Sequence, residues 1–186
     1  MTITSTPPTD TTEALAAGRW RVDPTRSRVE FHVRHFWGLM TVKGRFHAYD
    51  GTLELGAGAA LQLSIDAASL DTGHKQRDKH LRSADFFDVE VHPEIRFLSE
   101  TVTVGDDTLS VRGSLHAAGK HIPLELDATL RAVDGELQIE AITHADHRRL
   151  GMTWSPLGMA RTPSKLIVSA RLVRQGEQPL ADDSRR

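Results

Sequence analysis

Apolar and polar residues alternate with a period of two along most of this chain, and that pattern leaves few folds open. Val29, Phe31 and Val33, continued by His35, alternate with Arg28, Glu30, His32 and Arg34, so one face of the segment is apolar and the other charged. Val42, Gly44, Phe46 and Ala48 alternate with Lys43, Arg45, His47 and Tyr49, and Leu61, Leu63 and Ile65 with Gln62, Ser64 and Asp66. Ile95 and Phe97 continue the series, followed by Leu109, Val111, Gly113 and Leu115. The longest run is Ile122, Leu124, Leu126, Ala128 and Leu130; Leu137, Ile139 and Ala141, then Leu166, Val168, Ala170 and Leu172, close the set. Between these runs stand Asp50-Gly51, Gly56-Ala57-Gly58, Gly105-Asp106-Asp107, Ala118-Gly119-Lys120 and Asp134-Gly135. They read as turns, because such residues tolerate positive φ.

Short connections between alternating runs predict antiparallel neighbours in up-and-down order. About eight strands, each with one apolar face, must hide that face. An extended antiparallel barrel does so without leaving edges and gives an interior wide enough for one small ligand; a two-sheet sandwich satisfies the same pattern. The expected class is all-β, with one interruption. Lys75–Leu81 holds good helix formers and no β-branched residue, which predicts a short helix near 75–82, followed by Phe86 and Phe87 at a corner or cap. Gly151–Ser164 reads as a long ordered loop carrying Met152, Trp154 and Met159. Residues 1–17 and 175–186 lack periodicity and are expected to be disordered tails around a domain spanning 18–174.

Composition narrows the function by exclusion. The 186 residues include no Cys, which removes a disulfide scaffold, a thiolate zinc site, a cysteine nucleophile and a cysteine-ligated iron–sulfur cluster. A balance of 23 basic against 25 acidic residues argues against a general nucleic-acid or anionic-membrane binder. No apolar run is long enough to span a bilayer as a helix. Ala14-Leu15-Ala16-Ala17 is too short for the core of a secretory signal and no basic residue precedes it, so a cytoplasmic protein is expected. Neither a Gly-x-Ser-x-Gly elbow nor a phosphate loop nor a dinucleotide fingerprint occurs.

Ten His are many for this length. Yet His74 and His80, His116 and His121, and His144 and His147 stand six, five and three residues apart. A metal pair needs three or four on a helix and two on a strand, and His144 and His147 fall at a strand end, so no metal is expected. A cross-strand site, for instance His32 with His47, stays open. His35 extends an inward face, either as a buried imidazole bonded to backbone or as a ligand contact. Asp78 and Arg82 stand at i,i+4 and would form an ordinary helix-surface pair. His80, Arg82 and Asp85 are expected to pin the helix across the barrel, leaving Leu81, Phe86 and Phe87 to seal it.

The segment Arg77-Asp78-Lys79-His80-Leu81-Arg82-Ser83-Ala84-Asp85-Phe86-Phe87-Asp88-Val89, followed by Pro93-Glu94-Ile95-Arg96-Phe97, closely resembles the hallmark of the YceI-like family of lipocalin-like, polyisoprenoid-binding proteins. Trp20-Arg21-Val22-Asp23 with Ser27, Val29, Phe31 and His35 is similar to that family's opening strand. Gly44-Arg45-Phe46 with Tyr49, Gly51 and Leu53, and Leu115-His116-Ala117-Ala118-Gly119 with Pro123 and Leu124, resemble two of its hairpins. The resemblance covers residues 19–174 and departs at Asp146-His147-Arg148-Arg149-Leu150-Gly151, where Leu replaces the family's frequent Phe.

The resemblance implies a lipocalin-like barrel whose lumen holds a polyisoprenoid, an isoprenoid quinone or a prenyl phosphate, with no other cofactor, in a chain able to form a homodimer. On that reading Phe31, Val33, His35, Val42, Phe46, Leu63, Ile65, Phe97, Leu115, Leu124, Leu126 and Ile139 line the lumen. Arg77, His80, Leu81, Arg82, Phe86, Phe87 and Trp154 are the candidates for a cap or for head-group contacts. Aliphatic walls suit a flexible hydrocarbon, whose burial contributes about 0.8 kcal/mol per CH2. The expected role is a carrier or buffer rather than an enzyme. Three alternatives stand beside it: an interior simply filled by these side chains, an enzyme acting on a lipid-like substrate through lumen His and Arg residues, and a stress-related protein-interaction module.

Overall fold

The computed structural model describes residues 17–35, 40–152 and 163–176. The strands are β1 (Gly18–Val22), β2 (Arg28–His35), β3 (Met40–Phe46), β4 (Tyr49–Leu55), β5 (Ala60–Asp66), β6 (Leu70–Asp71), β7 (Glu94–Val104), β8 (Thr108–Ala117), β9 (Lys120–Val133), β10 (Glu136–Ala145) and β11 (Ser164–Arg174). One helix, α1 (Lys75–Arg82), interrupts them where the strand pattern lapses.

The first six segments are three long strands, each broken once. β1 and β2 both pair with β11, Val22 opposite Leu172 and Val29 opposite Val168. β4 and β3 lie beside them in turn, and β5 and β6 beside those. Eight staves therefore follow one another in chain order, and β11 returns to β1 to close an antiparallel up-and-down barrel. The sandwich alternative is excluded by that closure.

The breaks are built by side chains that bond the backbone leaving the ladder. At the first, the Asp23 carboxylate accepts from the Thr25 backbone N–H at 2.9 Å, the Thr25 hydroxyl at 2.6 Å and Arg26 Nε at 2.7 Å. These bonds pull its pKa down to about 2, the Thr25 hydroxyl having the largest influence. Ser27 Oγ donates to the Asp23 carbonyl at 2.6 Å and accepts from the Arg171 N–H at 3.0 Å. The Tyr49 hydroxyl donates to the Ser27 carbonyl, tying the first broken strand to the second. At the third break Asp66 caps a short 3-10 turn by accepting from Ala68 N–H at 2.9 Å.

Two expectations need correction. Asp50-Gly51 is no turn but lies inside β4. Gly51 faces inward opposite Leu63, where a Cβ would sit 3.0 Å from the Gln62 carbonyl and 3.1 Å from Val22 Cγ2, so the glycine answers close packing rather than positive φ. Asp50 meanwhile accepts from Arg21 Nε and Nη2 at 3.1 and 2.9 Å. The break at His47-Ala48 also shifts the alternation: Ala48 is exposed and Tyr49 turns to the inner face opposite Ile65. The tight hairpins are at Ala118-Gly119 (φ 48° and 70°) and Asp134-Gly135 (φ 55° and 76°), which have the left-handed pairs such turns require.

A barrel lumen with two zones

Register sets the inner face stave by stave. Phe31 stands opposite Gly44 and Leu166, and Val33 opposite Val42. Leu63 faces Phe97, Phe97 faces Leu115, and Ile65 faces Ile95. On the far wall Leu124 is opposite Gly113, Leu126 opposite Val111, and Ile139 opposite Leu130. Gly44 is required by contact: a Cβ there would fall 2.3 Å from Phe31 Cζ. Phe31 packs against Phe46 with ring centroids 5.5 Å apart, and Phe87 meets Phe46 edge-on at 6.1 Å. An aromatic line thus runs from the wall to the segment after α1.

Burial divides this face into two zones. Leu53, Leu109 and Leu137 are 0% exposed and Leu130 and Leu172 1%, with Trp20 and Val111 packed among them. That sealed end includes the termini of the barrel and the turns near 56–58, 105–107 and 134–135. Beyond it Val33, Val42, Leu63, Leu115, Leu126, Leu166 and Val168 occupy inward positions and are only half-buried, while Ala117, Ile122, Ala145, Leu150 and Met152 toward the opposite rim are buried again. Of the residues expected to line the lumen, Phe31, Phe46, Ile65, Phe97, Leu124 and Ile139 are buried, and Val33, Val42, Leu63, Leu115 and Leu126 belong to the accessible wall. His35 ends β2 opposite Met40, but its side chain lies outside the described residues, as does Trp154. Polar groups near this end are bonded to the protein itself: Thr143 Oγ1 donates to the Glu125 carbonyl at 2.7 Å, and Ser164 Oγ lies 3.0 Å from His147 Nδ1.

The expected cap residues are brought together around α1, in roles that differ from some expectations. His74 begins the helix, its Nδ1 accepting from Arg77 N–H at 3.3 Å. Asp78 is buried and accepts from Thr72 N–H at 3.0 Å and from the Thr72 hydroxyl. Arg77 donates to Thr72 Oγ1 at 2.7 Å and to its carbonyl at 2.8 Å. Arg82 donates from Nε to the Ala68 carbonyl at 2.8 Å and from Nη2 to that of Leu70. The anticipated Asp78–Arg82 pair is not among the ion pairs of the described residues, because both side chains turn toward the 68–72 backbone, whose groups have left the ladder and need partners. His80 Nε2 lies 3.2 Å from Asp85 Oδ2, and its ring meets Phe86 edge-on at 5.2 Å. Leu81, Phe86 and Phe87 are half-buried against the core. Of the pinning expected of His80, Arg82 and Asp85, Arg82 ties the helix to the 68–70 backbone and Arg77 adds Thr72, whereas the His80–Asp85 contact joins the helix to the segment after it.

Outside the barrel a groove of about 490 Å³ passes His47, Ser69, Asp71, Lys75 and Arg82. Asp71 accepts from Gly73 N–H at 2.7 Å and lies 3.2 Å from His47 Nε2; these bonds, the Gly73 one first, hold its carboxyl below the usual range. His116 and His121, five apart in sequence, are cross-strand partners with rings stacked 5.4 Å apart. Spacing could not reveal them, because the turn between them sets the register. His32 stands opposite Lys43 rather than His47, and no group of three or more His, Asp or Glu among the described residues could hold a metal ion. No helix among the described residues is long and apolar enough to cross a membrane.

Residues 20–172 match the model of the YceI-like domain. The chain belongs to the YceI-like family. Protein YceI of Escherichia coli is 36% identical over 106 residues, 55% of either chain, and a UPF0312 protein of Pectobacterium atrosepticum matches to the same extent. These alignments span about half the length of the curated relatives. Among solved structures, Burkholderia cenocepacia BcnA superposes with a TM-score of 0.73 at 18% identity, covering 81% of this chain and 98% of that one. A polyisoprenoid-binding domain from Saccharophagus degradans superposes with a TM-score of 0.70 at 14% identity, covering 86% and 100%. At those identities the likeness is one of fold, and the YceI-like barrel shares it along nearly its whole described length.

Proposed function

We propose that this YceI-like barrel binds a long-chain polyisoprenoid, an isoprenoid quinone or a prenyl phosphate, and serves as its carrier or buffer without catalysing a reaction on it. The observation that supports this most is the zoned interior. Val33, Val42, Leu63, Leu115 and Leu126 face inward yet remain half-buried, whereas the leucines at the sealed end are fully enclosed. An aliphatic wall left accessible within a barrel favours hydrocarbon, at about 0.8 kcal/mol for each CH2 taken from water. The S. degradans domain of the same fold, described as polyisoprenoid-binding, supports the same class of ligand. Such a wall reads chain shape more than head group, so several prenyl lipids should compete. Arg77 and Arg82, engaged with Thr72, Ala68 and Leu70, serve to hold the cap rather than a phosphate.

Native mass spectrometry of protein purified without detergent tests the reading. The expected result is a bound species that extraction identifies as a prenyl lipid. Protein that is consistently ligand-free, and stays so after incubation with prenyl phosphates and quinones, would contradict it.

A further inference from the structure

On the outer surface the register aligns Lys43 of β3 with His32 of β2, His32 with Lys165 of β11, and Lys165 with His144 of β10. Four basic side chains therefore stand in one row across four adjacent strands, a span of about 14 Å at ordinary strand spacing. His32, between the two lysines, has its pKa lowered by burial first and then by Lys43, with Glu30 opposing and Lys165 adding the smallest push. The row recurs in no strand pairing at the sealed end, where Arg112 faces Glu125 and Ser110 faces Asp127. The neighbouring row reads Arg45, Glu30, Ile167 and Ile142 in register, with Ile142 55% exposed. Basic groups beside outward isoleucines, on the flank that leads to the accessible end, match an anionic, partly apolar surface better than a soluble anion.

We propose that the flank made by β3, β2, β11 and β10 docks on an anionic phospholipid bilayer through Lys43, His32, Lys165 and His144, with Ile142 and Ile167 at the acyl boundary. The inference extends the lipid-carrier reading, since a prenyl chain partitions into membranes and a carrier must meet one to load. Docking would lay this flank along the bilayer surface, with the basic row toward the accessible end and the isoleucines one row nearer the sealed end. Lys43 and Lys165 supply the charge that phospholipid phosphates meet, with the imidazoles beside them as hydrogen-bond partners.

The test is co-sedimentation of the full chain with phosphatidylcholine vesicles, with and without phosphatidylglycerol, none containing isoprenoid. The wild-type protein is expected to bind only the anionic vesicles, and to release them in high salt. Lys43→Gln with Lys165→Gln should weaken that binding by roughly thirty-fold, while Arg112→Gln on β8, across the barrel from this flank, leaves it unchanged. Circular dichroism and the prenyl-lipid load of each variant check that the barrel is intact. Equal binding to neutral vesicles, a folded double variant that keeps wild-type affinity, or displacement from vesicles by duplex DNA would overturn the proposal. Should the double variant not fold, the wild-type preference for anionic vesicles and its salt dependence decide the matter. Failure on vesicles by protein that still carries prenyl lipid would remove the docking face alone and leave the carrier reading intact.

Discussion

The two ends of this barrel are made from the same strands and nearly the same side chains, yet they differ in what those side chains enclose. β8 places Leu109 fully out of solvent and, six residues on, Leu115 half-buried; β9 encloses Leu130 and leaves Leu126 half-buried, with Leu124 and Ile122 buried again beyond it. At the sealed end the aliphatic residues meet one another from every stave, as a core does. At the other end the first three staves have bent at their breaks, and α1 with its following segment takes up the space between β6 and β7. Aliphatic composition alone therefore specifies neither a core nor a cavity.

Substitutions at the two ends should separate stability from ligand binding. Leu53→Ala or Leu109→Ala, at fully enclosed positions, is expected to cost about 2–5 kcal/mol in urea unfolding, with unchanged prenyl-lipid load per folded molecule. Gly44→Ala should cost about 1–3 kcal/mol by overpacking, because Phe31 occupies the space a methyl would need. It also moves a wall residue, so lipid load should fall with stability. Leu115→Ala, half-buried, should cost only about 1 kcal/mol, and its larger effect should be a weaker hold on lipid. A cost at Leu115 equal to that at Leu109 would erase the distinction between the ends.

The smallest effect concerns the corner that joins the zones. The Asp23 pKa is depressed to about 2 in the folded chain, below its ordinary value of 3.8. A depressed carboxylate stabilises the fold above its unfolded pKa, and that contribution is lost as pH falls through the folded value. The corner should hold fully above about pH 4 and loosen as the pH falls toward 2. Asp23→Asn, followed by unfolding across that range, should flatten this part of the acid profile; an unaltered profile would show that the corner does not depend on the charge.

Much of the barrel was legible because a strand's period is local. The runs around Phe31, Leu63, Leu124 and Ile139 announce their inward faces without reference to the rest of the chain. Helix α1 and the glycine-bearing hairpins at 118–119 and 134–135 are local signals too. Asp50-Gly51 misled because a glycine needed for close approach carries the same letter as one needed for positive φ. The break at His47-Ala48 has no local signature, and it reversed the inward sense of Tyr49. Register lies beyond local reading altogether: it pairs His116 with His121 and aligns Lys43, His32, Lys165 and His144 from four separate strands. All ten His lie on β2, at the break before β4, in the connection from β6 to β7, beside the 118–119 turn or at the close of β10. None lies at the turns of the sealed end.

The central claim is that the half-buried inward wall is where prenyl lipid sits, and calorimetric titration of a prenyl phosphate into delipidated protein tests it most directly. Wild-type protein should bind with a negative heat-capacity change, as burial of apolar surface requires. Leu126→Trp, which fills the accessible zone, should lose at least about tenfold in affinity, equivalent to about 1.4 kcal/mol, with its unfolding midpoint close to that of wild type. Equal affinity in the two proteins, or no binding by either, would contradict the account.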